Sequence, residues 1–309
     1  MHNTSSQKVL VLGGTGFVGC HVCEALSRQG HSITVPTRGL PARSVEIIPG
    51  LDVVVADIHD PVTLQNLVRG QDTVVNLVAI LHGDEAAYDH VHVQLLRKLA
   101  KACKQEQVKR LVHISALGAG EHAPSMYQRS KARGEAVLMA AAQTSDLSLT
   151  VIRPSVIFGE DDHFITLFAK LQRMFPFMPL ASAQTRFQPV WVQDVARAIV
   201  ACVEDPATAG KVYELCGPEV LTLKQLIQFA GRWVGHQRLV LPLPYAIGWL
   251  QALLMEFVPG PTLMSRDNLE AMQVDNVPSG RLPGLAELGI THPQTLSGVF
   301  LPDLHTPLI

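Results

Sequence analysis

The junction "VLVLGGTGFVGCHVCEAL", Val9 to Leu26, constrains this chain more than any other stretch. An apolar run of strand type ends in Gly13, Gly16 and Gly19, spaced G-x-x-G-x-x-G, and these open a segment of helical periodicity. The three glycines do different physical work. Gly13 permits the tight turn, Gly16 removes a Cβ where backbone must approach a pyrophosphate, and Gly19 lets the helix pack close to the strand. Phosphate oxygens then meet unpaired N–H groups at the helix N-terminus, within reach of Thr15, Phe17 and Val18. Placed at the first strand–helix junction of a βαβ series, the pattern predicts a dinucleotide cradle.

That series follows. Strands are predicted at Lys8–Leu12, Ser32–Pro36, Asp52–Ala56, Thr73–Val78, Arg110–Ser115 and Leu149–Arg153. Helices are predicted near Phe17–Gln29, Pro61–Val68, Tyr88–Gln105 and Tyr127–Ala142. Strands this apolar are covered on both faces, as in a parallel sheet. The expected class is α/β, a doubly wound parallel sheet built from right-handed crossovers. After about residue 155 proline becomes frequent, as in "RMFPFMPL" and "LPLP". Helices are expected at Phe164–Arg173, Val195–Glu204, Leu223–Val234 and Tyr245–Phe257, with a strand at Lys211–Leu215. The division expected is a disordered lead over 1–7, a dinucleotide domain over 8–155 and a smaller, mainly helical region over 156–309. That last region closes over the carboxyl edge of the sheet and partly pairs with it.

The second strand ends "ITVPTRGL", offering Thr37 and Arg38 where a ribose 2′-hydroxyl would otherwise meet a carboxylate. A guanidinium grips a 2′-phosphate with charge-assisted hydrogen bonds, which favours NADPH, with NADH still possible. The plainer reading of Arg38 is a cap in solvent. Asp57, closing "VVVADI", either accepts from the adenine amino group or caps its loop. Ile58, Val78, Ala79 and Pro154 complete the expected cofactor wall.

"YQRSK" sets Tyr127 and Lys131 at i and i+4, on one helix face. Lys131 in this place bonds the nicotinamide ribose, and its charge is expected to lower the phenol pKa so that Tyr127 exchanges a proton while hydride moves. The glycine turn, "YQRSK" and "VIRPSVIFG" resemble the extended and atypical branches of the short-chain dehydrogenase/reductase superfamily. "RPSVIFGEDDHFI", "QPVWVQDVARAI", "GKVYELCGPEVLTLKQL" and "SRDNLEAMQVDNV" are similar to the branch typified by the accessory nucleotide-binding subunit of respiratory complex I. The similarity runs in order over roughly residues 7–280. It implies a Rossmann domain, a tightly held NADPH, a small C-terminal region, and a partner in a respiratory or quinone-making assembly.

The catalytic pattern departs from that superfamily in one place. Active members carry a Ser or Thr just past the fifth strand. Here "HISALGAGEH" supplies Ser115 at the strand end, followed by Ala116 and Leu117. Ser115 therefore contacts substrate, faces the cofactor, or bonds backbone at the strand end. Only 11 residues separate it from Tyr127, a short excursion that speaks against nucleotide-sugar chemistry.

Other residues receive plain readings. Arg153 orients the turn after its strand, and Asp194 and Thr222 cap or charge helix starts. His90 and His92, two apart, face different sides of a helix. Cys20 and Cys23 pack a helix on the sheet. No spacing points to a metal. A net charge of −2 without like-charge blocks leaves no nucleic-acid groove, and "MHNTSSQ" has no apolar leader, so a cytoplasmic location is expected, with a peripheral respiratory-membrane position as the variant. The uncharged stretch Leu239 to Met255 reads as a core or partner-facing helix, or as a peripheral membrane contact. Three functions follow in order: an NADPH-holding scaffold protein, an NADPH-dependent oxidoreductase acting on a quinone or carbonyl, and a nucleotide-sugar epimerase or dehydratase.

Overall fold

A computed structural model describes residues 6–39, 47–257 and 264–301. Its elements, in chain order, begin with β1 (Lys8–Leu12), α1 (Phe17–Arg28), β2 (Ser32–Thr37), β3 (Leu51–Val55), α2 (Pro61–Val68) and β4 (Thr73–Asn76). Then come α3 (Glu85–Asp89), a π-helical turn His90–Gln94, α4 (Leu95–Gln105), β5 (Arg110–Ile114), α5 (Met126–Gln143) and β6 (Ser148–Pro154). The remainder holds β7 (Ile157–Phe158), α6 (Ile165–Met174), β8 (Phe177–Leu180), β9 (Arg186–Phe187), β10 (Val190–Trp191) and α7 (Val192–Glu204). It closes with β11 (Val212–Leu215), β12 (Leu221–Thr222), α8 (Leu223–Trp233), β13 (Leu239–Pro242), α9 (Tyr245–Glu256), α10 (Arg266–Ala271) and α11 (Leu296–Phe300).

Seven strands form one sheet in the order β11-β6-β5-β4-β1-β2-β3, every pair parallel. The chain steps outward from β1 to β3, then returns to lay β4, β5, β6 and β11 on the other side. This is the doubly wound Rossmann arrangement, with its switch point between β1 and β4. β1 shows why the strands read as unbroken apolar runs. Val9 and Val11 enter one core with α1 and α7, while Leu10 and Leu12 enter the other with α2, α4 and α5. All four are fully buried, each contributing about 1.5–3 kcal/mol.

Several expectations are corrected. β3 is an edge strand whose Val55 is 68% exposed, so it is not covered on both faces. Ser6 and Gln7, expected in a disordered lead, are tied down: Ser6 Oγ donates to Gly30 O at 2.7 Å and Gln7 O accepts from Ser32 N at 2.9 Å. The rest of that lead, 1–5, lies outside the described residues. The single helix expected from Tyr88 starts three residues earlier and contains the π turn. Beyond residue 155, β11 extends the main sheet, where partial pairing was expected, and α7 packs on α1. A third core, around Phe158, Phe187, Leu226 and Phe229, belongs to the outer region, where three two-stranded ladders pair β7 with β10, β9 with β12 and β8 with β13.

Candidate functional site: a glycine cradle and a tyrosine helix

The turn after β1 is shaped by what its residues lack. Gly13 sits at φ +85°, a left-handed conformation costly for any L side chain. A Cβ on Gly19 would overlap the Gly13 carbonyl oxygen and stand 2.7 Å from Gly14 Cα. Gly14, unremarked in the sequence, has the same need: its Cβ would come 2.7 Å from a Val35 methyl. Around Gly16 only the Gly13 oxygen lies near, at 3.4 Å, so its outer side is open. No side chain caps α1 and its first turn holds no acidic residue. The amides of Phe17, Val18 and Gly19 therefore lack helical acceptors and suit an anion. Within the same helix Cys23 is buried, its thiol pushed up to about 12 by burial and directed to Gly14 O at 3.9 Å, as packing requires.

β2 delivers Thr37 and Arg38 to the carboxyl edge. Arg38 is exposed, and no hydrogen bond or ion pair engages its guanidinium among the described residues. Asp57 is exposed and its Oδ1 accepts from His59 N at 2.9 Å, the loop-cap reading. β4 ends at Asn76, leaving Val78 and Ala79 in the following loop, and Pro154 closes β6.

The opposite wall is the first turn of α5. Ser125 caps the helix by accepting from Gln128 N at 3.1 Å. Lys131 is 2% exposed and its Nζ donates to Ile114 O at 2.7 Å. Burial pulls the ammonium down to about 8, against a smaller opposing pull from Glu135. Tyr127 is half-buried, and desolvation raises its phenol to about 12. This reverses the expected lowering: burial dominates the phenol.

Ser115 lies one residue beyond β5, 4% exposed, its N–H donating to Ile152 O at 2.7 Å. Among the described residues its hydroxyl has no partner, and neither does His113 Nε2 two residues earlier on the same sheet face. The hydroxyl is thus not the backbone bond the sequence allowed. Asn76 Nδ2 donates to His113 Nδ1 at 3.0 Å, which leaves the unpartnered Nε2 carrying the proton.

The partners that hold the tyrosine helix come from elsewhere in the chain. Asp267, in the first turn of α10, accepts from Met126 N at 2.5 Å and Tyr127 N at 3.1 Å. It also accepts from the Tyr88 hydroxyl at 3.4 Å. A carboxylate from the outer region therefore holds the start of the tyrosine helix. His92, in the π turn, accepts from Ile80 N at 3.1 Å through Nε2 and donates from Nδ1 to Ser130 Oγ at 2.8 Å. Ser130 in turn donates to Tyr127 O at 2.7 Å. Burial, then the Lys131 charge, pulls His92 down to about 3, so it stays neutral. It faces inward while His90 stacks on His59 outside, as the two-residue spacing implied. Arg153, read as orienting the turn after its strand, forms a fork with Glu135 of α5, Nε to Oε1 at 2.9 Å and Nη2 to Oε2 at 2.5 Å. Asp194 and Thr222 stand at helix starts as read; Asp194 pairs with Arg197, and Thr222 forms a capping box with Gln225.

Beside Tyr127 opens a cavity of about 640 Å³, lined by His82, Met126, Arg129, Trp249, Arg266 and Asp267 among others. It lies between the start of the tyrosine helix, α9 and α10.

The family model for the NAD dependent epimerase/dehydratase family matches residues 9–216. Mouse NADH dehydrogenase [ubiquinone] 1 alpha subcomplex subunit 9, a mitochondrial protein, is 31% identical over 91% of this chain and 75% of its own length. The Dictyostelium discoideum protein of that name is 31% identical over 72% of this chain, which spans 63% of that relative. Ceramide reductase of Caulobacter vibrioides is 28% identical over 64% of this chain and 61% of its own length. In fold, the chain is similar to the crystal structure of gox2253, with a TM-score of 0.75 at 21% identity over 96% of both chains. With a nucleotide-binding sheet, a glycine cradle and a Tyr–Lys helix in one frame, the chain belongs to the NAD-dependent epimerase/dehydratase family, among relatives of the complex I alpha subcomplex subunit 9 proteins.

Proposed function

We propose that the protein holds NADPH, in preference to NADH, as a resident ligand in a role tied to respiratory complex I or to quinone metabolism. One observation carries the preference: an exposed Arg38 guanidinium, free of ion pairs among the described residues, follows β2 in a segment, "ITVPTRGL", that contains no Asp or Glu. The cradle of Gly13, Gly16 and Gly19 with the uncapped α1 would hold the diphosphate, and Lys131 the nicotinamide ribose. The names of the mouse and Dictyostelium relatives support the respiratory role. Titration calorimetry with both dinucleotides tests the preference. NADPH should bind at least about tenfold more tightly, and Arg38→Ala should erase most of the difference. Equal affinities in the unaltered protein sink the proposal.

A second reading, an oxidoreductase acting on a quinone or carbonyl, is favoured by the unpartnered Ser115 hydroxyl on the Tyr127 side of the sheet. The dinucleotide, when bound, supplies a hydride. Tyr127, with its phenol raised to about 12, holds its proton at neutral pH and gives it to an oxygen that gains negative charge. Ser115 would donate to the same oxygen. In a screen of quinones and ketones, Tyr127→Phe should cut turnover by about 100-fold or more while leaving NADPH affinity within about threefold. If no substrate draws turnover, the resident-ligand reading stands alone. The 11-residue excursion between Ser115 and Tyr127 keeps nucleotide-sugar chemistry in third place.

A further inference from the structure

β5 carries a histidine that no role described so far employs. In "LVHIS", Leu111 to Ser115, His113 and Ser115 alternate with Val112 and Ile114. Val112 and Ile114 enter the core beside α1 and α7, so His113 and Ser115 take the other face with Leu111, toward α5. His113 is 1% exposed and Ser115 4%. Among the described residues neither the imidazole Nε2 nor the serine hydroxyl has a hydrogen-bond partner. Polar atoms buried this deeply are normally satisfied, by protein or by ordered water.

The neighbours of the imidazole decide where its hydrogen sits. Asn76 Oδ1 accepts from Val78 N at 3.4 Å, which turns Nδ2 toward His113 Nδ1 at 3.0 Å. Nδ1 is therefore the acceptor and Nε2 the donor. Burial, then the Lys131 ammonium and His92, holds the imidazole well below its ordinary pKa, so it stays neutral. Ser115 is fixed through its main chain, its N–H donating to Ile152 O at 2.7 Å. One donor and one hydroxyl thus share a face, two residues apart on extended backbone, with Cα atoms about 6–7 Å apart. A direct bond between them would have left neither atom unpartnered. One water, with a hydrogen bond of about 2.8 Å on either side, spans such a gap.

We infer that a buried water joins His113 Nε2 to Ser115 Oγ and makes His113 a positioning residue for the serine. The donor chain runs from Asn76 Nδ2 to the imidazole, from Nε2–H to the water, and from the water to the serine oxygen. Each bond polarises the next. With its oxygen engaged, Ser115 keeps its own hydrogen to give to an oxygen in the site. The water stands on His113 and Ser115 alone, whereas the positioning role rests on the oxidoreductase reading.

A crystal structure of the full chain at about 1.5 Å or better should show one water within about 3.2 Å of both atoms. Nitrogen NMR should find His113 as the Nε2–H tautomer, and Ser115→Ala should shift that N–H resonance. With a quinone or ketone that draws turnover, His113→Phe should lower kcat about tenfold or more, with KM and NADPH affinity held within about threefold. His113→Gln, which keeps an N–H donor on a side chain of similar reach, should restore most of kcat. No water between the two atoms, an Nδ1–H tautomer, or a resonance unmoved by Ser115→Ala overturns the water, with or without a substrate. Equal losses in the Phe and Gln variants overturn the positioning role. Absence of any turnover removes the oxidoreductase reading and the positioning role with it, and the water then stands or falls on the first two measurements.

Discussion

The turn at residues 13–19 and the first turn of α5 form the two walls of the candidate site, and they are held in different ways. The glycine turn is local. Its shape comes from one φ of +85°, from close backbone passages that admit no Cβ, and from an α1 terminus that no side chain caps. The tyrosine wall is assembled from afar: Asp267 reaches it from α10, Tyr88 from α3, and His92 from the π turn through Ser130. A wall of the first kind is written in consecutive residues. A wall of the second kind exists only once the outer region has folded onto the sheet.

The comparison breaks most directly at Gly19. A methyl there must displace the Gly13 and Gly14 backbone, so Gly19→Ala should weaken NADPH binding by on the order of 100-fold and lower the melting temperature. A calorimetric titration that matches the unaltered protein would show that the turn is less rigid than its packing implies. At the other wall, Asp267→Ala leaves the Met126 and Tyr127 amides without their acceptor. A stability loss of about 2–3 kcal/mol by denaturant titration is expected, with cofactor affinity changed less than by Gly19→Ala. Were the loss negligible, α5 would be as self-sufficient as the glycine turn and the contrast would fall.

The smallest effect sharpens the contrast through pH. Lys131 has a folded pKa of about 8, below its ordinary 10.5. The unfolded chain therefore binds more protons between those values, so stability of the free protein rises with pH across that window. Affinity for NADPH should move the opposite way, falling a few-fold as the ammonium is lost above about pH 8. Lys131→Arg, always charged, should flatten the binding profile, and parallel trends in melting and titration would refute the assignment.

What the sequence disclosed follows this division. Alternating apolar runs and helical periods placed the sheet, because burial on both faces leaves a signature in each strand, and only the edge strand β3 misled. The Tyr127–Lys131 pair was legible from its spacing. Its electrostatics were not, because the lowering expected of the phenol depended on the ammonium, while burial prevails. Asp267 sits 140 residues from Tyr127 in the segment "SRDN", and no local period marks a cap delivered across that distance. The unpartnered Ser115 hydroxyl needed the packed structure, since hydroxyls at strand ends ordinarily turn back to the main chain.

The π turn at His90–Gln94 carries a consequence for how this sequence can change. A regular helix advances about 100° per residue, so loss of the one extra residue of the π turn would rotate His92 by about that angle relative to the Leu95, Leu96 and Leu99 side, and the imidazole would leave Ile80 and Ser130 if that side kept its seat. The extra residue lets one rod serve two registers, one set by the hydrophobic sheet and one by the polar crevice. A change of length within those five positions therefore disturbs one register or the other, and a substitution at His92 removes the anchor of Ile80 and Ser130.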